Sequence, residues 1–279
     1  MSPLWRDQLR VVLTPRQVVV LRLRAGVRRR VSSQHVIDCD PAQAGEASWH
    51  NALAVLQTAL TEMGKNKADV FVMLSNHFVR YALIPHSNDM VTEEEQDALV
   101  RHSFTRLYGE GAGQWQFRLN HHADRNGIRL SCAVDRELPE SLRALVQSCG
   151  FRLRSIQPLF TAAFNQWRHR LRDSVWFVVV ERGRLCFAEL RHKRWHTIKS
   201  INISDDWLRD LAELLHRETF LMNADEPQAV KMPVFIYAPG YADLKTPHIN
   251  GHSVELLPSI RRRGATQANA TAYAMAMVG

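Results

Sequence analysis

The sequence predicts an α/β fold written twice. Three observations carry that expectation. Segments 9–13, 18–23 and 31–38 are short and β-patterned, and a helical pattern at 49–63 and an apolar strand at 70–74 follow them. The same order returns at 175–180, 185–190 and 195–203, then 207–222 and 234–237. In both copies a tight turn joins the first two strands, at Pro15-Arg16 and at Arg182-Gly183. Three strands, a helix and a strand, used twice, point to a duplicated domain with a cleft between the copies. Concave sites at such domain junctions are common ligand sites, and a nucleotide is the first ligand to test.

The elements follow in order. Val18 to Leu23 is a β-branched run ending in alternation, as for a strand covered on both faces. Pro41 and Gly45 mark a loop. Ser48 is placed to cap a helix in which Trp49, Leu53, Leu56, Leu60 and Met63 recur at helical spacing, with Gly64 closing it. Asp69 to Leu74 is a nearly continuous apolar strand. Ser75-Asn76-His77 breaks it, and Phe78 to Pro85 begins another. Thr92 followed by Glu93, Glu94 and Glu95 is a helix start, with Ala98, Val100, Phe104, Leu107 and Tyr108 as its apolar face. Residues 115–119 alternate as a strand, and 128–134 are its antiparallel neighbour across Asn126-Gly127. A helix at 139–149 closes at Gly150, a strand runs from 151 to 156, and a helix at 159–171 leads into the second copy. A short strand at 253–257 and a small-residue helix at 270–278 end the chain, where Ala272, Ala274, Ala276 and Gly279 allow close packing. The expected organisation is a first domain over 1–158, carrying a small α/β insertion at about 78–156, and a second domain over 159–279.

Composition narrows the class. The 279 residues suit one large or two modest domains, and 46% hydrophobic with 23% charged residues is globular composition. No apolar run of 18 residues occurs, and the N-terminus lacks the pattern of a secretory signal. Cys39, Cys132, Cys149 and Cys186 are widely spaced without CxxC pairing, as for reduced thiols in a cytoplasmic protein. The net charge of +8 is concentrated: eight arginines against Asp7 alone in the first thirty residues, ending in Arg28-Arg29-Arg30, with Arg261-Arg262-Arg263 near the other end. Such runs can meet phosphate, anionic lipid or an acidic partner, or remain solvated turns. No nucleic-acid-binding motif accompanies them.

The repeated order resembles the actin-like (ribonuclease H-like) ATPase fold of actin, sugar kinases and FtsA. The segment Val72-Met73-Leu74-Ser75-Asn76-His77-Phe78-Val79-Arg80-Tyr81-Ala82-Leu83-Ile84-Pro85 is similar to a signature of GspL-type proteins and their PilM-like relatives. Trp115, Ala133-Val134-Asp135 and the 150–158 passage stand in the order those families show. Read by its chemistry alone, the motif is largely structural: Ser75 and Asn76 are turn residues, and Phe78, Tyr81 and Ile84 are core residues. Arg80 is the exception. A charge in an apolar strand needs a partner, for which Glu93, Glu94 or Glu95 are candidates, or an exit to solvent along an edge strand.

The resemblance implies ATP, and the residues depart from it. Phosphate-cradling turns need glycine and free donors, with an aspartate near the first turn for the metal. Here Leu13-Thr14-Pro15-Arg16-Gln17 has neither glycine, lysine nor aspartate, and Pro15 removes a donor. Glu181-Arg182-Gly183-Arg184 keeps one glycine but brings a carboxylate. The adenosine-side segment Ile236-Tyr237-Ala238-Pro239-Gly240 keeps one glycine beside a proline. Arg16, Arg182 and Arg184 could attract phosphate by charge alone. Catalysis and a bound cofactor are therefore not expected, in keeping with GspL-type cytoplasmic domains. The thirteen histidines show no ligand spacing: His121 and His122 are adjacent, and His192 and His196 straddle a turn.

By this resemblance the chain is expected to be a non-catalytic cytoplasmic scaffold, peripheral at the inner membrane, in a type IV pilus or type II secretion assembly platform. Its partners would be platform subunits: the N-terminal region of an assembly ATPase or the cytoplasmic tail of a membrane protein. Arg28, Arg29, Arg30 and Arg80 are the candidate contacts to a partner or an anionic surface. GspL continues into a membrane helix, whereas this sequence stops at Gly279, so attachment falls to a partner, as for PilM, or to a longer parent chain. The alternatives are a nucleotide-dependent switch on the same fold and a basic nucleic-acid-binding protein.

Overall fold

A computed structural model of the chain describes residues 6–26, 30–43, 45–63, 67–85, 92–120, 127–225, 232–241, 246–249, 251–260 and 267–278. In chain order the first half contains β1 (Asp7–Leu13), β2 (Gln17–Leu23), β3 (Val31–Asp38), α1 (His50–Glu62), β4 (Ala68–Leu74) and β5 (Val79–Pro85). There follow α2 (Glu93–Tyr108), β6 (Trp115–Leu119), β7 (Ile128–Asp135), α3 (Glu137–Ser148), β8 (Arg152–Pro158) and α4 (Leu159–Trp167). The second half contains β9 (Val175–Glu181), β10 (Arg184–Arg191), β11 (Arg194–Asn202), α5 (Trp207–Asp225), β12 (Val234–Tyr237), β13 (Val254–Leu256) and α6 (Gln267–Met277).

Both halves build the same sheet. The first has the order β3-β2-β1-β4-β8 and the second β11-β10-β9-β12-β13. In each, the first three strands are antiparallel and the last two run parallel to the first. Antiparallel neighbours need only tight turns, whereas a parallel strand needs a crossover; α1 supplies it for β4 and α5 for β12. The strands next to those helices are continuous apolar runs because both faces are covered. Val175 to Glu181 is buried throughout. The duplication legible in the sequence is thus a duplication of sheet topology.

The insertion is smaller than 78–156. Its own three-stranded sheet, β5-β7-β6, spans only 79–135. β8, read in the sequence as the insertion's last strand, is the fifth strand of the first sheet, parallel to β4. The preceding α3 packs on β8 and α1 through Leu138, Leu142 and Val146. The physical reason is burial: one face of β8 and the apolar stripe of α3 complete the first core. Helix ends also differ. Thr92 forms the expected capping box with Glu95. At α1 the cap position is Trp49, not Ser48, and no side chain caps it. Trp49 is held by burial and by donating Nε1–H to Asp135 Oδ2 at 3.2 Å, so tertiary packing fixes this helix start. Gly64 and Asn126 lie outside the described residues.

Two helices cross between the halves. α4 leaves the first sheet and sets Phe160 and Phe164 against Phe177 of β9 and Trp195 of β11. α6 leaves the second half and packs on β1 and β2 of the first. Ala272, Ala274 and Ala276 are buried there, as their small size allows, and Tyr237 of β12 donates its hydroxyl to Ala274 O at 3.3 Å. One apolar core therefore runs from Leu9 through Phe160 to Val278, while α5 seals the outer face of the second sheet with Trp207, Leu211, Leu214 and Leu215.

Candidate functional site

A cleft of about 810 Å³ opens between the halves. Its walls are the two hairpin turns: Thr14, Pro15, Arg16 and Gln17 from the first, and Glu181, Arg182 and Gly183 from the second. Pro239, Gly240 and Tyr241 follow β12 along one wall, and Thr271 and Met275 of α6 line it from the first half's side. This is where the sequence places a nucleotide.

The first turn has little left to offer a phosphate. Thr14 N–H donates to Gln17 O at 3.0 Å, Gln17 N–H to Thr14 Oγ1 at 2.9 Å, and Arg16 N–H to Thr14 Oγ1 at 3.4 Å. Pro15 has no N–H at all. The turn consumes its own donors. Asp38 and Asp205 add exposed carboxylates to the lining, no lysine is among the lining residues, and Asp7 sits at the far end of β1, bonded to Arg22 and Ala25 N–H. The first turn does not fit a magnesium–nucleotide triphosphate: its amides are spent within the turn or absent at Pro15, and it carries no lysine or carboxylate. Among the described residues no cluster of three metal-ligating side chains occurs.

Glu181 is not simply a negative charge facing that cleft. Its side chain is buried and turned onto the end of β4. Ser75 Oγ donates to Glu181 Oε1 at 2.6 Å, and Asn76 N–H donates to Oε2 at 2.8 Å. Asn76 Oδ1 in turn accepts from Tyr81 Oη at 2.7 Å and from Phe160 N–H at 3.1 Å. His77 donates Nε2–H to Arg182 O at 3.0 Å. Burial pushes the Glu181 carboxyl up to about 7, against the pull of Ser75, Asn76 and Arg184. Burial also lowers the His77 imidazole, which Arg184 and Arg80 depress further. The sequence reading took Ser75 and Asn76 as local turn residues. Ser75 does accept from His77 N–H at 3.2 Å, but the long-range bonds carried no sequence signal.

A second concavity, of about 270 Å³, lies between the first sheet and the insertion. Leu153, Arg154, Ser155 and Ile156 of β8 form one side, and Gln116 and Arg118 of β6 the other. Both strands are sheet edges. Arg143 of α3 and Arg154 bring its lining to three arginines with Arg118, and no acidic residue lines it. Arg154 is committed to the buried Asp69 at 2.9 Å, whereas Arg118 and Arg143 are exposed.

The arginines singled out in the sequence do not converge. Arg30 is exposed where β3 begins, at the opposite end of the hairpin from the cleft, and Arg28 and Arg29 lie outside the described residues. Arg80 pairs with none of its expected carboxylates. It is half-buried on the edge strand β5, donates Nη1–H to His77 O and Val79 O at 3.3 Å, and lies over the Trp115 ring at 5.9 Å. Glu93, Glu94 and Glu95 are exposed in the first turn of α2, where Glu95 closes the capping box. Carbonyls and a ring face satisfy the guanidinium instead.

No protein-family model and no curated protein matches the chain. Solved structures do. The cytoplasmic domain of EpsL, an inner membrane component of the type II secretion system of Vibrio cholerae, is similar at a TM-score of 0.57 and 11% identity, over 96% of this chain and 94% of that one. A PilM-PilN type IV pilus biogenesis complex matches at 0.63 and 12%, over 98% and 97%. A Bacteroides thetaiotaomicron protein with an actin-like ATPase fold and unknown function matches at 0.55 and 11%, over 91% of each chain. With the duplicated sheets, these likenesses show an actin-like fold.

Proposed function

We propose that the chain is a non-catalytic scaffold that holds an extended segment of a partner subunit within an inner-membrane assembly platform of the type IV pilus or type II secretion kind. One observation carries this reading: a groove runs between β8, an edge strand of the first sheet, and the face of the insertion sheet formed by Gln116, Arg118, Cys132 and Val134, and its charged lining residues are all arginines. An unpaired edge offers a row of main-chain donors and acceptors to a further strand, and side-chain pockets alongside supply selectivity. The arginines favour an acidic segment, such as the N-terminal region of an assembly ATPase or the cytoplasmic tail of a membrane subunit. The likeness to the EpsL domain and to the PilM-PilN complex supports the choice of apparatus. Among the described residues no helix is long and apolar enough to cross a membrane. In this reading the partner supplies attachment, with Arg30 toward anionic lipid.

The test is a photo-crosslinking residue at Gln116 or Ser155 in native cells, with adducts identified by mass spectrometry. A pilus or secretion subunit is expected, and Arg118→Glu with Arg143→Glu should abolish its adduct. Both arginines are exposed, so the double variant should fold normally. Adducts absent, or indifferent to the double variant, would remove the reading. The second reading, a nucleotide-dependent switch, draws on Arg16 and Arg182 flanking the central cleft, and it predicts stabilisation by Mg-ATP.

A further inference from the structure

The rim of the central cleft is fastened by a side chain. Glu181 ends β9 in the second half, and Ser75 and Asn76 end β4 in the first, 106 and 105 positions away. All three are buried. The two carboxylate oxygens take one donor each: a hydroxyl at 2.6 Å and a backbone amide at 2.8 Å. A second tie runs alongside, from His77 Nε2–H to Arg182 O at 3.0 Å. The turn beside it is held by Gly183, whose φ of +77° disfavours other residues; a Cβ there would meet the imidazole Cε1 at 3.7 Å, an ordinary contact. Behind the junction, Asn76 is braced by Tyr81 of β5 and by the Phe160 amide of α4.

The chemistry of this junction differs from that of the core behind it. Apolar contacts through Phe160, Phe164 and Phe177 hold the halves at depth, and separating them exposes hydrocarbon to water. A buried carboxylate regains hydration when it is exposed, so parting at the rim is partly compensated. A contact that is specific in geometry and inexpensive to open has the properties of a releasable catch.

We propose that Ser75, Asn76 and Glu181 form a latch that closes the rim of the central cleft between the two halves without a bridging ligand. In nucleotide-binding proteins of this fold the phosphates lie between the two hairpin turns. Here the chain's own carboxylate makes the crossing, at the edge of a cleft whose first turn has spent its donors. The latch is independent of what occupies the groove between β8 and β6.

Proton binding tunes it. From β10, Arg184 and Cys186 face the carboxyl; from β5, Tyr81; from the β4–β5 connection, Ser75 and Asn76; Arg184 favours the charged form, and Ser75 and Asn76 do so as donors. Burial outweighs them, so the closed state binds the Glu181 proton more tightly than an opened, hydrated state would. The latch is therefore firmest at low pH and loosens as pH rises through about 7.

Hydrogen exchange followed by mass spectrometry on the full chain tests this. Glu181→Ala should speed exchange at least tenfold in peptides covering 74–81 and 179–184, while β2, at 18–23, stays protected. Glu181→Gln keeps the shape and should remain closed, without the excess opening of wild type above pH 7. Ser75→Ala, which removes one donor and leaves the fold's apolar contacts intact, should show a smaller local increase and decides the matter if Glu181→Ala does not fold. Unchanged exchange at 74–81 in the variants that fold, or an increase spread evenly over the chain, would overturn the latch. So would a tenfold slowing of exchange at 74–81 in wild type on adding millimolar Mg-ATP, because a ligand would then be doing the closing.

Discussion

Asn76 has no exposed surface, and its single carbonyl oxygen satisfies two buried donors, Tyr81 Oη and Phe160 N–H. Removing it strands both. Asn76→Ala should lower stability by about 2–4 kcal/mol, measured by denaturant unfolding, because each orphaned group costs about 1–3 kcal/mol. The neighbouring Glu181 should dominate the pH dependence near neutrality. Its folded value of about 7 lies above the ordinary 4.5, so its stabilising contribution is complete below 4.5 and is lost as pH rises through 7. The slope in that window should reach about 1.4 kcal/mol per pH unit at most, and Glu181→Gln should flatten it in a melting series from pH 5 to 8. Asp7, lowered by its bonds to Ala25 N–H and Arg22 despite some burial, works in the opposite sense. It stabilises above 3.8 and loses its contribution only under stronger acid. None of this was legible in the sequence. Ser75 and Asn76 carry a local signal, as turn formers, and Glu181 carries a local signal, as an obstacle to phosphate. Their pairing spans 106 positions, and residue type alone does not encode it.

Elements were read better than residues because hydrophobic period is local. The strands at 31–38, 115–119 and 234–237 begin and end where their patterns do. Thr92 and Glu95 name a helix start because capping is settled within four residues. Where neighbours in space decide, sequence reading fails. The pattern of β8 says strand, but not that its partner is β4 across the whole insertion. Trp49 caps no hydrogen bond and yet starts α1, through a contact 86 positions away. The small-residue pattern of α6, by contrast, did forecast close packing. That invites a test, since Ala276 is buried in the core that α6 shares with the first half. Ala276→Leu should cost about 1–3 kcal/mol through overpacking, seen as a lower Tm. An exposed substitution on the same chain, Glu213→Ala, should stay within about 0.5 kcal/mol.

At the scale of the whole molecule, the fold is actin-like while the first turn closes on itself. A thermal-shift series with Mg-ATP is the direct check. A site of useful affinity, with ligand at 100 times its Kd, would add about 2.7 kcal/mol. No Tm change at 5 mM is expected. The two exchanged helices have a different consequence, which concerns time. β1 and β2 leave the ribosome early, but the helix that covers them, α6, is made about 250 residues later. At about 5–20 residues per second that is a wait of roughly 12–50 s. Through that interval the face of β1 and β2 that α6 covers has its sheet but not its lid. The first half is committed to the second before either is complete, and a ribosome stalled anywhere in between releases a sheet with one face bare.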